Sequence, residues 1–190
     1  QETPPRSIFF FLTLFVMLMI NGSILGQVST SYSFSSTSET YSPLSSPTLL
    51  FPTSGSTWKD GVSSSLAIPF NFTFNGTSYN SCYVSTNGFI TFGSAQGASN
   101  YIPISNTTSP NTYSGAISAF GRDLYSTQSG NNIVYGTVGT TPNRTFVIQW
   151  INAQRYNYSG NYNFQIRLSE ETNVIQIKYD FQQPITICTK

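Results

Sequence analysis

The stretch Tyr79–Phe92 constrains the fold of this chain more than any other, because it reads as two short strands joined by a tight turn. At its centre stands Asn87-Gly88, and an Asn-Gly pair between strand-forming residues is the strongest short-range signal for a β-hairpin. Both central residues of a type I′ turn need a positive φ, which Gly and Asn adopt at the lowest cost. The sequence therefore predicts a two-residue hairpin turn at Asn87-Gly88.

A second Asn-Gly pair, Asn75-Gly76, joins this hairpin to the segment Leu66–Phe74. In that segment large apolar side chains recur at alternate positions, so we expect one face of the strand to be buried. Pro69 has no amide hydrogen, which favours an edge position or the beginning of the strand. Three consecutive strands joined by two short turns predict an antiparallel meander.

Four later segments show the same strand pattern and are separated by turn residues. They are Ile133–Val138, Arg144–Asn152, Tyr162–Leu168 and Val174–Tyr179. After the N-terminal apolar run, no segment shows an apolar period of about 3.6 residues over three turns, as an amphipathic helix would. We therefore predict an all-β fold, an antiparallel β-sandwich with a jelly-roll-like arrangement, preceded by a signal peptide helix.

The N-terminal segment predicts secretion. Arg6 precedes an apolar run from Ile8 to Ile20, which is shorter than the roughly 20 residues that a membrane span needs. A basic residue, an apolar run and then small residues are typical of a signal peptide. We predict cleavage after Gly26, with cleavage after Ser23 as the second choice. An uncleaved membrane anchor and a buried core helix are the alternatives.

The predicted domain layout has three parts. Residues 1–26 form the signal peptide, and residues 27–61 form a Ser/Thr/Pro-rich segment with edge strands at Ser31–Ser35 and Leu49–Phe51. Residues 62–190 form the β-sandwich. Because the chain begins with Gln and ends without a clear strand pattern, we expect it to be a fragment of a longer protein that is truncated within or after this domain.

Composition excludes several classes of partner and chemistry. Charged residues make up 8% of the chain and the net charge is +1, so nothing favours nucleic acid or an anionic membrane surface as a partner. The chain has no His, which excludes Ser-His-Asp triads and Cys-His dyads. Without His, the two cysteines cannot form an ordinary Cys/His zinc site. Cys82 and Cys188 either form a disulfide, which an extracellular location permits, or remain thiols, with Cys82 buried in a strand.

The order of several segments resembles a known extracellular domain. They are Val84–Gly93, Ala116–Leu124, Asn143–Trp150, Asn163–Leu168 and Glu171–Tyr179. This order resembles the β-sandwich domain of large secreted multidomain surface proteins of Bacteroidetes-type bacteria and, more distantly, nidogen-type extracellular domains. The resemblance spans roughly residues 62 to 180 and contains no catalytic motif. It implies a secreted or cell-surface location and further domains in the same chain.

Asp123 is the acidic residue with the most distinctive setting, beside Arg122 after an apolar strand. Domains of the resembled type often have a Trp and then acidic residues here, but this chain has Phe120-Gly121-Arg122-Asp123, which weakens the case for an inherited metal role. Two interpretations remain: a calcium site built from Asp123 and loop carbonyls, or a structural carboxylate that pairs with Arg122 or caps a turn. Glycoside hydrolysis needs two carboxyl groups across a substrate, and Glu170-Glu171 lies in a predicted turn where solvated charges are expected. We predict no enzyme activity, and no cofactor apart from this calcium alternative.

The densest polar and aromatic cluster in a predicted loop is Arg155-Tyr156-Asn157-Tyr158. Aromatic rings stack on the apolar faces of sugars, and Arg and Asn side chains hydrogen-bond their hydroxyl groups. We therefore take Arg155, Tyr156, Tyr158 and Asp123 as candidate ligand-binding residues; ordinary turn packing is the alternative.

The predicted function is a secreted or cell-surface non-catalytic module for adhesion or for recognition of glycans or surface proteins. A structural spacer and an accessory domain of a larger secreted hydrolase are the alternatives. After removal of the signal peptide we expect no contact with a membrane. The glycosylation sequons at Asn71, Asn75, Asn106, Asn143 and Asn157 are expected by chance in a chain this rich in Asn, Ser and Thr, and in a bacterial protein they would carry little weight.

Overall fold

The computed structural model describes residues 32–52, 57–103, 113–127, 130 and 132–180. The predicted signal peptide, its cleavage sites and Cys188 lie outside the described residues. The chain divides into two units, residues 1–37 and 38–190. Residues 32–37, the described part of the first unit, have no regular secondary structure, so the predicted edge strand at Ser31–Ser35 is wrong over its described part.

The described part of the second unit is all-β, as predicted, and its strand pairs are antiparallel. Within the described ranges no residue is helical, and no helix is long and apolar enough to cross a membrane. The eleven strands are β1 (Thr48–Phe51), β2 (Trp58–Lys59), β3 (Leu66–Phe74), β4 (Thr77–Ser85), β5 (Phe89–Phe92), β6 (Gly115–Ser118), β7 (Leu124–Ser126), β8 (Ile133–Val138), β9 (Thr145–Arg155), β10 (Tyr162–Ser169) and β11 (Ile175–Asp180).

These strands form two packed sheets, which confirms the predicted β-sandwich. The four-stranded sheet has the order β3-β4-β5-β6, and the seven-stranded sheet has the order β1-β8-β9-β10-β11, with β7 on β9 and β2 on β7. Strands β1 and β2 lie within residues 27–61, the predicted Ser/Thr/Pro-rich segment. Most neighbours in each sheet are consecutive in sequence, whereas a jelly roll consists of two Greek keys. The jelly-roll-like arrangement is therefore not confirmed.

The core is built from the apolar faces of both sheets. In β3 every second residue from Leu66 to Phe74 is buried, which confirms the predicted strand, and Pro69 lies on an edge strand as expected. Aromatic rings fill the centre: the Trp150 and Phe164 centroids are 4.9 Å apart and nearly parallel. Burial of side chains of this size stabilises a fold by roughly 1.5–3 kcal/mol each.

Cys82 lies in this core, fully buried, as a free thiol. Burial raises its pKa to about 12, so the thiol is protonated and unreactive at neutral pH. The structure therefore gives Cys82 the packing role that was one of its two predicted alternatives.

Residues 39–44 lie across the outer face of the seven-stranded sheet, where polar side chains hold them. Gln165 Nε2 donates to the carbonyl of Ser42 at 3.0 Å, and the amide of Leu44 donates to Gln149 Oε1 at 2.9 Å. Lys178 Nζ pairs with Glu39 Oε2 at 2.5 Å. Gln165 has the outward position of an alternating strand, yet it is fully buried because this segment covers it.

The central hairpin differs from the predicted two-residue turn. Strand β4 ends at Ser85 and β5 begins at Phe89, so Thr86–Gly88 form a three-residue turn in which Gly88 N donates to Ser85 O at 3.3 Å. Gly88 alone among the three has a positive φ, 83°. A type I turn followed by one left-handed residue is the usual three-residue hairpin loop. Asn75-Gly76, with φ values of 48° and 77°, does adopt the predicted two-residue turn.

The turn Thr86–Gly88 is buried, and it hydrogen-bonds the backbone of segments that neighbour it in the fold. Asn87 is fully buried; its Oδ1 accepts from Leu124 N at 2.9 Å, and its Nδ2 donates to Asn100 O at 3.1 Å. The carbonyl of Gly88 accepts from the amides of Ala119 and Phe120 at 3.1 and 3.0 Å. Because β7 begins at Leu124, this turn sets the position of the strand that leads into the candidate site.

Candidate functional site

Three strands bring the candidate residues together at one end of the seven-stranded sheet. Strand β9 extends to Arg155, where Arg155 pairs with Leu124 of β7. On the other side of β7, Tyr125 pairs with Lys59 of β2. Asp123, the residue before β7, therefore lies next to the end of β9. All four residues that the sequence nominated lie in this region.

We call Lys59, Tyr125, Arg155, Tyr156 and Tyr158 the aromatic surface. The guanidinium carbon of Arg155 lies 3.6 Å from the ring centroid of Tyr158, and Lys59 Nζ lies 5.3 Å from that of Tyr156. The rings of Tyr125 and Tyr156 meet edge to face, with centroids 6.0 Å apart. Cation–π contacts at exposed sites contribute about 0.5–1 kcal/mol each, so these contacts favour the observed ring orientations.

A tight turn presents the two outermost rings. Tyr158 N donates to Arg155 O at 3.1 Å, and Asn157 has a φ of 61°, a conformation that Asn tolerates better than most residues. Tyr156 and Tyr158 are 47% and 57% exposed. Two ring faces, a guanidinium group and an amide are thus available on one rigid turn. Such a set can stack on a ligand and hydrogen-bond to it, which is recognition chemistry.

Asp123 supports this turn through its backbone. Its carbonyl accepts from Tyr156 N at 2.9 Å, so it fixes the start of the turn. Its Oδ1 is buried and has no hydrogen-bond partner among the residues that the structure describes. The described residues contain no group of three or more His, Cys, Asp or Glu side chains that could hold a metal ion. A calcium ion at Asp123 would therefore depend on carbonyl and water ligands, since Ca²⁺ takes six to eight oxygens.

Sequence reasoning missed Lys59 as a member of the aromatic surface. Lys59 reaches Tyr156 because β2 pairs with β7, a long-range contact that no local pattern indicates. Tyr125 is half-buried in β7. The neighbouring pair Lys59–Asp60, 3.8 Å apart, leaves little net charge on this side of the surface.

A second polar cluster, outside the aromatic surface, connects the ends of β9 and β10. Arg144 donates to Glu170 through Nε at 2.7 Å and through Nη2 at 2.6 Å, a bidentate ion pair. The Arg144 guanidinium also lies 5.5 Å from the ring centroid of Phe70, which belongs to the other sheet. Glu170 was expected to be a solvated turn charge. Instead its ion pair with Arg144 connects the start of β9 to the end of β10, and Arg144 also contacts Phe70 of β3.

This ion pair predicts a pH-dependent stability. The hydrogen bond from Arg144 lowers the pKa of Glu170 below its usual value. A lowered pKa in the folded state stabilises the fold above the ordinary carboxyl pKa and ceases to do so as the pH falls through the lowered value. We expect Glu170→Gln to lower the urea midpoint at neutral pH, and the difference from wild type to close between about pH 5 and pH 2. Glu171→Gln, at an exposed neighbouring carboxylate, is the control; an equal effect there would contradict the assignment.

The comparison with protein families agrees with this architecture. The family model described as "NIDO related" matches residues 31–188, a range that includes every strand and the whole aromatic surface. No curated protein and no solved structure matches the chain. NIDO-related domains are typically extracellular and generally non-catalytic. The chain therefore belongs to the NIDO-related family of nidogen-type extracellular domains.

Proposed function

We propose that this protein is a secreted or cell-surface recognition module that binds a glycan through the aromatic surface. The observation that carries the proposal is the pair of exposed rings, Tyr156 and Tyr158, each in contact with a cation at a hydrogen-bonded turn. Family membership supports an extracellular, non-catalytic module. We also expect further domains in the same chain.

Binding at this surface would use stacking and hydrogen bonding rather than charge. The apolar faces of a sugar ring would stack on the tyrosines, while the Arg155 guanidinium donates to hydroxyl groups. Because the net charge of the chain is +1, no long-range field would steer the ligand. We therefore expect the affinity to change little with salt concentration. An extracellular protein partner would use the same residues, since Tyr and Arg are enriched at protein interfaces.

Removal of the rings should weaken binding without unfolding the protein. We expect Tyr156→Ala and Tyr158→Ala each to reduce affinity about tenfold, because a stacked aromatic contact contributes about 0.5–1.5 kcal/mol beyond its buried area. Arg155→Ala should weaken binding similarly, because it also releases the Tyr158 ring. Tyr101→Ala is the matched control, since Tyr101 is 43% exposed and lies outside the aromatic surface. The measurement is biolayer interferometry against ligands identified on a glycan and matrix-protein array, with and without calcium.

The array separates the proposal from its alternatives. A glycan hit that the three alanine variants lose supports it, and a matrix-protein hit that they lose would replace the glycan by a protein partner at the same surface. Absence of any hit, from non-glycosylated protein shown to be folded, would contradict recognition and favour a structural spacer. If affinity is retained in all three variants, the site lies elsewhere. Calcium dependence would assign an ion-binding role to Asp123.

A further inference from the structure

The sequon asparagines share a property that chance occurrence does not require. All four that the structure describes, Asn71, Asn75, Asn143 and Asn157, are exposed. Most of the other described asparagines are buried or half-buried, namely Asn87, Asn100, Asn132, Asn152, Asn163 and Asn173. All described sequon asparagines are therefore exposed, whereas only Asn80 and Asn161 are exposed among the other described asparagines.

The local backbone at these positions also suits modification. Asn71 is on the solvent side of the edge strand β3, where burial alternates from residue to residue. Asn75 is at the tip of the two-residue hairpin turn, and Asn157 is in the turn that ends β9. Asn143 is in the β8–β9 turn, where its backbone N–H donates to Thr140 O at 2.7 Å. The hydroxyl residues two positions on are exposed or half-exposed: Thr73, Thr77, Thr145 and Ser159.

We propose that Asn71, Asn75, Asn143 and Asn157 are N-glycosylation sites. The donor class is a lipid-linked oligosaccharide, a polyprenyl diphosphate ester, used by a transferase of the secretory pathway. The side-chain amide nitrogen forms a bond to the anomeric carbon, and the bond from that carbon to the diphosphate oxygen breaks. The diphosphate leaves with the electron pair, and the amide proton passes to a base of the transferase. No oxidant or reductant is needed.

Glycans at Asn71 and Asn75 would protect the edge of the four-stranded sheet. β3 is an edge strand of nine residues, and long exposed edges pair with other chains unless something covers them. With charged residues at 8%, the chain has few of the charges that usually guard such edges. A glycan at Asn71, in the second half of β3, and one at Asn75, in the turn that follows the strand, would supply that protection by bulk and hydration.

Asn157 has a different consequence, which rests on the proposed function. It stands between Tyr156 and Tyr158, so an oligosaccharide on its amide would cover the rings that bind the ligand. Glycosylation of Asn157 and ligand binding would therefore exclude each other. Glycans at Asn71, Asn75 and Asn143 would not cover these rings, because these sites lie outside the aromatic surface.

Site mapping on protein from the organism that makes it tests the proposal without any ligand. Digested protein is treated with a peptide N-glycosidase in water enriched in ¹⁸O, which converts a glycosylated Asn into labelled Asp. We expect label that depends on the enzyme at the four positions and none at Asn161, which is exposed but lies outside any sequon. Native peptides that are unlabelled at all four positions would overturn the proposal, and an unlabelled single position would remove that site.

Secreted expression of hydroxyl variants supplies a second readout. Thr73→Ala, Thr77→Ala and Ser159→Ala each leave the Asn in place but destroy its sequon, so each should lose one glycan in the intact mass. A variant that keeps its full glycan mass would contradict assignment of that site. The Ser159→Ala variant should also bind ligand where the glycosylated wild type does not. Normal glycan loss without gained binding would overturn the proposed function of the aromatic surface but not the glycosylation of Asn157.

Discussion

Gly88→Ala is expected to cost at least about 3 kcal/mol of folding free energy or to prevent folding. An alanine Cβ at this position would lie 2.4 Å from the carbonyl oxygen of Phe120, a contact with backbone that no side-chain rotation can relieve. The φ of Gly88, 83°, adds strain for any residue with a Cβ. The turn cannot move away easily, because the Gly88 carbonyl accepts two backbone hydrogen bonds. The measurement is the free energy of unfolding in urea.

Gly76→Ala is the matched control for this prediction. Gly76 has a similar φ of 77°, but an added Cβ would have nothing within 4 Å. Only the backbone strain remains, so we expect a loss of about 1–2 kcal/mol. The difference between the two variants isolates the steric contribution of the buried turn. Equal losses in both variants would show that the contact with Phe120 does not constrain the fold.

Asn87→Ala is the second large effect, and we expect it to destabilise the protein by about 3 kcal/mol or more. The substitution leaves the buried amide of Leu124 without its acceptor and removes the hydrogen bond from Asn87 Nδ2 to the carbonyl of half-buried Asn100. An unsatisfied buried group costs about 1–3 kcal/mol, and the loss of an ordinary hydrogen bond adds about 0.5–1.5 kcal/mol. Asn80→Ala, at an exposed position, should change the unfolding free energy by less than about 0.5 kcal/mol. A loss at Asn87 as small as this would contradict its role in fastening the loops.

Asn87→Asp separates the acceptor role of the Asn87 side chain, towards Leu124 N, from its donor role, towards Asn100 O. Aspartate keeps an acceptor for Leu124 N but places a buried carboxylate against the carbonyl of Asn100, which raises the pKa of the new carboxyl group. With a raised pKa in the folded state, the variant is most stable at low pH, where the protonated acid can donate, and loses stability as the pH rises through that pKa. We therefore expect the variant to approach wild-type stability near about pH 4 and to fall away towards pH 7. A difference from wild type that does not change with pH would contradict the donor role of the Asn87 amide.

The strands were predictable from the sequence because their signal is local. Alternation of buried and exposed side chains in Leu66–Phe74 needs no knowledge of partners, and neither does the edge position implied by Pro69. The Asn75-Gly76 turn is likewise set by two adjacent residues. At Asn87-Gly88 the same dipeptide gives a different turn. The buried Asn87 side chain hydrogen-bonds the backbone of Asn100 and Leu124, which lie far along the chain, and no local pattern indicates these bonds.

The candidate site was predictable only in part for the same reason. Arg155, Tyr156 and Tyr158 are neighbours in sequence, so their cluster is visible without a structure. Arg155 ends a strand rather than lying in a loop, because β9 extends beyond its local apolar pattern to pair with β7. The approach of Lys59 depends on pairing between strands, and the burial of Gln165 depends on a segment that packs across the outer face of the sheet.

The most direct test of the central claim is NMR mapping of the bound ligand on the non-glycosylated protein. Amide shifts are recorded while the glycan identified on the array is titrated into the folded module. We expect perturbations confined to residues 155–158 and to the neighbouring strands at Lys59 and Tyr125, with none in the segment 39–44. Perturbations centred on any other surface, with the 155–158 turn unchanged, would contradict the assignment of the aromatic surface as the recognition site.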